Sequence, residues 1–168
     1  MSSIAIVGNL NIDQKYDPGF RYKMSTILVQ TEGKGNKSKT CIKNCTEIAK
    51  QLKRTPGQIC KFFGCQLGTR TCITSDGDAI ISGHHETNVL QQLLDIFIDK
   101  FVLCPKCLLP ETELLIKKDN IFHNCNACGF LGMVDMTHKL CTFILQVHNA
   151  EKKLKKSKKD AKLLEKTT

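Results

Sequence analysis

At 168 residues the chain is long enough for one ordinary domain or two small ones, and its 41% hydrophobic and 24% charged residues are those of a globular protein. A formal net charge of +9 predicts attraction to polyanions, and eight lysines crowd into residues 152–166, leaving the remainder nearly neutral. No stretch approaches the roughly 18 apolar residues of a membrane span, and the N-terminus lacks a basic signal-peptide start, so the composition excludes a membrane protein and points to a reducing, cytoplasmic setting.

Residues 1–24 have weak periodicity and a turn signal at Asp17-Pro18-Gly19, and read as a flexible arm. Residues 25–30 (STILVQ) suit a strand, 32–39 a polar Gly/Asn/Lys loop, and 40–43 its partner strand. Ile48, Ala49 and Leu52 share a helical face. Thr55-Pro56 then reads as an N-cap with proline at the first helical position, opening a helix over 56–67 that Gly68 ends. Ser75-Asp76-Gly77-Asp78 predicts a hairpin between 70–74 and 79–82. Val89, Leu90, Leu93, Leu94, Phe97, Ile98 and Phe101 recur at amphipathic spacing over 86–101. These interleaved elements predict an α+β fold: a mixed α/β subdomain over 25–101, a ribbon over 102–148, and a lysine-rich segment over 149–168, helical or disordered.

The ribbon carries Cys104-Pro105-Lys106-Cys107, seventeen residues, then Cys125-Asn126-Ala127-Cys128. Each Cys-x-x-Cys puts two thiolates on one tight turn within reach of a single ion, and four soft ligands in tetrahedral array select zinc, one per chain. Iron in a rubredoxin-like site is chemically allowed. Four ligands leave no open position for water, so the role is structural. The spacer predicts two strands, 111–117 and 120–124, about a Lys118-Asp119 turn, and Gly129 supplies the positive φ that a knuckle needs.

Of the remaining cysteines, 41, 45, 60, 65, 72 and 141, most read as small buried hydrophobes, and Cys141 as core packing rather than a fifth ligand. The segment from Gly33 to Thr40 lacks glycine before its Lys39-Thr40 pair and fails as a phosphate-binding loop, leaving a basic surface hairpin. His84-His85-Glu86 reads as structural, with Glu86 at a helix start. No Ser/His/Asp or paired-carboxylate arrangement emerges, so a self-contained enzyme is not expected.

Phe20-Arg21-Tyr22-Lys23-Met24, Glu32-Gly33-Lys34-Gly35-Asn36, Lys61-Phe62-Phe63-Gly64, Gln66-Leu67-Gly68, Gly83-His84-His85-Glu86, Phe101-Val102-Leu103-Cys104-Pro105, Pro110-Glu111-Thr112 and the run from His138 to Leu145 stand in a familiar order. Together they resemble the N-terminal domain of the eukaryotic translation initiation factor 5 family over about residues 20–148. The resemblance implies an α/β subdomain like initiation factor 1, and a zinc ribbon shared with the beta subunit of initiation factor 2. It implies activation of GTP hydrolysis by the gamma subunit of initiation factor 2, on the small ribosomal subunit carrying initiator tRNA, by a soluble monomer.

The resemblance places a candidate arginine finger at Arg21, with Lys39 and Lys61 matching lysines of the same activity. Departures are Ser25 where the family has proline, Lys37-Ser38 in the loop, and Leu131 in place of an arginine. The family's C-terminal helical-repeat domain finds no counterpart in these residues, and 149–168 read as the start of a linker toward it. Two other functions fit the composition: a ribosome- or RNA-binding module without effect on a GTPase, and a component like the beta subunit of initiation factor 2.

Overall fold

The computed structural model describes residues 3–6, 19–33, 35 and 38–164, the stretch 155–164 as backbone only. Strand β1 (Ser3–Ala5) pairs antiparallel with β2 (Lys23–Ser25), setting Ile4 against Met24. Both side chains are buried, as are Ala5 and Ile6. The described ends of the expected arm are therefore seated on the body, because two short apolar runs separated in sequence complete each other's backbone hydrogen bonds. Residues 7–18, with Asp17 and Pro18 of the turn signal, lie outside the described residues.

Next come β3 (Val29–Glu32), β4 (Lys39–Ile42), helix α1 (Cys45–Gln51), α2 (Pro56–Leu67), β5 (Thr71–Ile73), β6 (Ala79–Ser82) and α3 (Thr87–Phe101). The four strands form one antiparallel sheet in the order β3-β4-β6-β5. The single strand expected over 25–30 is split in two. Asn44 causes the break: its side chain accepts from Leu28 N (2.9 Å) and donates to Thr26 O (2.7 Å), doing what a neighbouring strand would do.

Helix α2 starts and stops where the residues dictate. Thr55 Oγ1 accepts from Gln58 N, Gln58 Oε1 accepts from Thr55 N, and Gly68 closes the helix in the left-handed region at φ 64°. Phe62 and Phe63 on this helix meet Leu90, Leu94, Phe97, Ile98 and Phe101 of α3, with Phe62 and Phe97 rings 5.3 Å apart edge to face. Val89 departs from its expected place on that face and stands 40% exposed.

The ribbon holds β7 (Thr112–Lys117), β8 (Asn120–Cys125) and β9 (Leu131–Met133) in that order. Lys118 and Asp119 turn the first hairpin with φ of 47° and 59°, the two positive values of a tight hairpin that matches strand twist. Helix α4 (Lys139–Leu164) then crosses the boundary read at residue 148. Its first turns bury Leu140, Cys141 and Ile144 against the body, and Phe143 lies 3.7 Å from where a side chain on Gly57 of α2 would begin.

Candidate functional site

The two Cys-x-x-Cys turns are built alike. Leu108 N donates to Cys104 O (2.9 Å) and Gly129 N to Cys125 O (3.0 Å), while Cys104 N reaches Leu109 O (3.1 Å) and Cys125 N reaches Phe130 O (2.9 Å). In both turns the residue after the second cysteine is left-handed, Leu108 at φ 56° and Gly129 at φ 71°. The expectation at Gly129 holds, and Leu108 meets the same demand at a steric cost that glycine avoids.

All four sulfur atoms lie within 4.8 Å of one another, with Cys104–Cys128 and Cys107–Cys125 each at 3.7 Å. Tetrahedral ligands about 2.3 Å from one ion would stand roughly 3.8 Å apart, so the donor set fits a single metal ion and is consistent with zinc. Burial opposes ionisation of Cys104, yet the amides of Cys107 and Lys106 together with the thiols of Cys107 and Cys128 outweigh it and draw the thiol down to about 7. Cys107 is pushed up to about 12 by burial and by its crowded sulfur neighbours. A bound cation would relieve that crowding by taking the place of the protons.

Behind the knuckles, the ribbon is locked to the body by a residue that sequence reading passed over. Arg54 is 8% exposed and reaches Phe101 O with Nε (3.0 Å) and Nη2 (2.6 Å), and Thr112 O and Thr112 Oγ1 at 2.8 Å each. One guanidinium thus caps the C-terminus of α3 and fastens the first residue of β7. Burial lowers its pKa to about 10, against the pull of Glu113, so it stays charged at neutral pH. His123 of β8 adds a contact from Nε2 to Lys100 O at 3.2 Å, and burial lowers its pKa. The lone sequence signal was a basic pair, Lys53-Arg54, which reads as surface.

Arg21 is exposed, its guanidinium carbon 5.7 Å from the centroid of Tyr22. Tyr22 is pinned twice: its carbonyl accepts from Ile6 N (2.9 Å), and its hydroxyl donates to Glu111 Oε1. That hydrogen bond, followed by burial, raises the tyrosine pKa. Glu111 O in turn accepts from Asn126 N (2.8 Å), inside the second knuckle. The chain of contacts therefore runs from the sulfur cluster through Glu111 and Tyr22 to the neighbouring Arg21.

The other two candidates sit elsewhere. Lys39 opens β4, opposite Glu32 on β3 and Ser82 on β6. Lys61 lies on α2, Nζ 6.0 Å from the Phe143 ring of α4. Of the basic loop, Lys34, Asn36 and Lys37 lie outside the described residues. His85 is structural, its amide donating to Thr40 Oγ1 (3.0 Å), and Glu86 occupies the N-cap of α3 without a side-chain capping bond. Among the six other cysteines, Cys41, Cys45, Cys60 and Cys141 are buried, whereas Cys65 is half-buried and Cys72 exposed.

The family model for a domain found in initiation factors 2B and 5 matches residues 12–131, spanning the body, the arginine and all four cysteines. Eukaryotic translation initiation factor 5 of Mus musculus is 50% identical over 133 residues, covering 77% of this chain and 31% of its own length. The probable eukaryotic translation initiation factor 5 of Schizosaccharomyces pombe is 46% identical over 160 residues, 94% of this chain and 40% of its own. The Saccharomyces cerevisiae factor is 46% identical over 133 residues, 78% and 33%. The chain thus spans roughly a third of the length of these relatives. A match running unbroken from the arm into the ribbon, at such identity across animals and fungi, makes this chain a member of the eukaryotic translation initiation factor 5 family.

Proposed function

We propose that the chain is a translation initiation factor domain that activates GTP hydrolysis by initiation factor 2 within the small-subunit preinitiation complex. In this reading Arg21 enters the partner's nucleotide site and neutralises charge developing on the transferring γ-phosphoryl, an effect worth roughly 10³–10⁵ in rate for GTPases. The carrying observation is the pinned neighbour: Tyr22 is held by Ile6 and Glu111 while the Arg21 side chain is exposed. A finger on a fixed backbone loses less conformational entropy on entering a partner's site than one on a loose chain.

Zinc is the ion this reading assigns to Cys104, Cys107, Cys125 and Cys128. When bound there it supplies structure, since four thiolates complete its coordination. Lys39 and Lys61 serve the same activity as auxiliary cations toward the gamma and beta subunits of initiation factor 2, the small ribosomal subunit and initiator tRNA, in the cytoplasm. Replacing Arg21 by lysine keeps the charge and removes the bidentate fork. Single-turnover GTP hydrolysis in reconstituted preinitiation complexes should fall at least about a hundredfold for R21K while binding to the small subunit persists. An unchanged hydrolysis rate would remove Arg21 from the mechanism.

A further inference from the structure

Where α2, β5 and the start of α4 meet, an open cavity of about 450 Å³ is lined by Lys61, Arg70 and Lys139 together with Cys65, Thr69 and Thr71 and two glycines. Three cations face one space, and the lining contains no carboxylate and no large apolar side chain. We propose that this cavity binds the phosphate backbone of single-stranded RNA.

Several independent features converge on an anion here. Lys139 is the first residue of a 26-residue helix, so the positive end of the helix dipole borders the cavity. At the adjacent C-terminus of α2, Gly68 N and Thr69 N (3.2 Å) both donate to Gly64 O, so that carbonyl is already satisfied. Gly64 also lets the Thr69–Thr71 turn lie flat on α2: a Cβ there would fall 2.9 Å from Thr71 Oγ1.

The lining also distinguishes an RNA backbone from a protein partner. Protein interfaces centre on an apolar, aromatic-rich core, which this cavity lacks; phosphate recognition needs only cations, hydroxyls and helix N-termini. A polymer suits the register of the sheet better than a lone anion. Ser82 N donates to Arg70 O (3.0 Å), and Ser82 stands opposite Lys39 on β4. Arg70 is thus about two strand spacings, roughly 10 Å, from Lys39 along the same end of the sheet.

The experiment uses the full chain and a fluorescein-labelled oligouridine of about twelve nucleotides, a length within single-strand site sizes, read by anisotropy between roughly 50 and 200 mM salt. The double variant Arg70→Gln, Lys139→Gln should bind about tenfold more weakly at the lower salt. Its slope of log affinity against log salt should be shallower by about 1.4, two contacts at about 0.7 each. The charge-keeping pair Arg70→Lys, Lys139→Arg should retain wild-type affinity, which separates lost contacts from lost folding. In the unmodified chain, RNA should shift the backbone amide resonances of residues 69–71 and 139–141.

Three results would overturn the proposal: resonance shifts confined to other regions, equal RNA affinity of the Gln variant, or an oligoglutamate of matched charge binding the cavity as tightly as the RNA. If Lys152→Gln with Lys153→Gln weakens RNA while the cavity variant does not, the site is the helix tail and the proposal also fails. The measurement contains no GTPase, so its outcome is separate from that of the Arg21 test.

Discussion

In the α/β body Phe62, Phe63 and Phe97 each leave 1% or less of their surface exposed, whereas in the ribbon Leu131 and Met133 leave 51% and 62%. The body is held by ordinary apolar burial, about 1.5–3 kcal/mol for each such phenylalanine. The three-stranded ribbon contributes Ile121 and Val134 to that core, packs Leu114 and Ile116 against it, and adds its four cysteines and the polar contacts of Arg54, His123 and Glu111. Two regions of one short chain thus differ in what holds them: one excludes water, the other gathers four thiolates from two turns into a cluster that fits a single ion. The joint between them combines these apolar contacts with the buried guanidinium of Arg54.

The largest effect should come from taking the ion away. Structural zinc in small domains carries an apparent binding free energy of about 10–16 kcal/mol. Chelation, or Cys125→Ser, should therefore abolish amide exchange protection across residues 112–133 while 56–67 and 87–101 remain protected. Elemental analysis should find one zinc per chain before treatment. Loss of protection in both regions together would show that the ribbon and body unfold as one unit and would break the contrast.

Next in size is the joint. Arg54→Met keeps much of the side-chain volume but strands Phe101 O and Thr112 O in a buried setting, and leaves Thr112 Oγ1 with its bond to Val102 O alone. It should cost about 3–5 kcal/mol, visible as a lowered denaturant midpoint. A change under about 1 kcal/mol would mean that water replaces the guanidinium and that the joint is looser than its geometry implies.

The smallest effect is a pH dependence at the return from ribbon to body. His138 Nδ1 accepts from Leu140 N (3.0 Å) at the start of α4, and its ring stacks 5.2 Å from Phe62. Burial and then the charge of Lys100 lower its pKa, with Asp135 opposing. The folded chain accordingly prefers the neutral ring and the unfolded chain binds the proton more readily. Stability from this group is complete above about pH 6.5 and declines as pH falls toward the lowered folded value. Melting followed from about pH 7.5 to about 5.5 should show the decline in wild type and a flatter profile in His138→Gln.

What could be read beforehand follows the same division. Local signals announced themselves: the Thr55-Pro56 start and Gly68 stop of α2, the Asp76-Gly77 hairpin, and the two cysteine pairs with Gly129. Each is a short-range demand on φ, on a hydrogen bond or on a ligand, and a few adjacent residues express it in full. Features completed by distant partners stayed hidden. Asn44 breaks a β-branched run by presenting a side chain from another element, and β1 exists because residue 4 meets residue 24. Strand β9 is three residues with a central glycine and shows no alternation. Arg54 was passed over because nothing nearby in sequence reveals that Thr112 will meet it. Of the candidate site, the sulfur cluster was legible from spacing alone, whereas Arg21 is a candidate only through the resemblance, since an exposed arginine carries no pattern of its own.

Helix α4 gives the molecule a handle as well as a lid. At 1.5 Å per residue its 26 residues extend about 39 Å, and seven lysines, 152, 153, 155, 156, 158, 159 and 162, ride on its outer half. A charge offset from a nearly neutral body gives these residues a large permanent dipole. In the field of a polyanion such a molecule experiences torque before contact, so it rotates as it diffuses and arrives lysine end first.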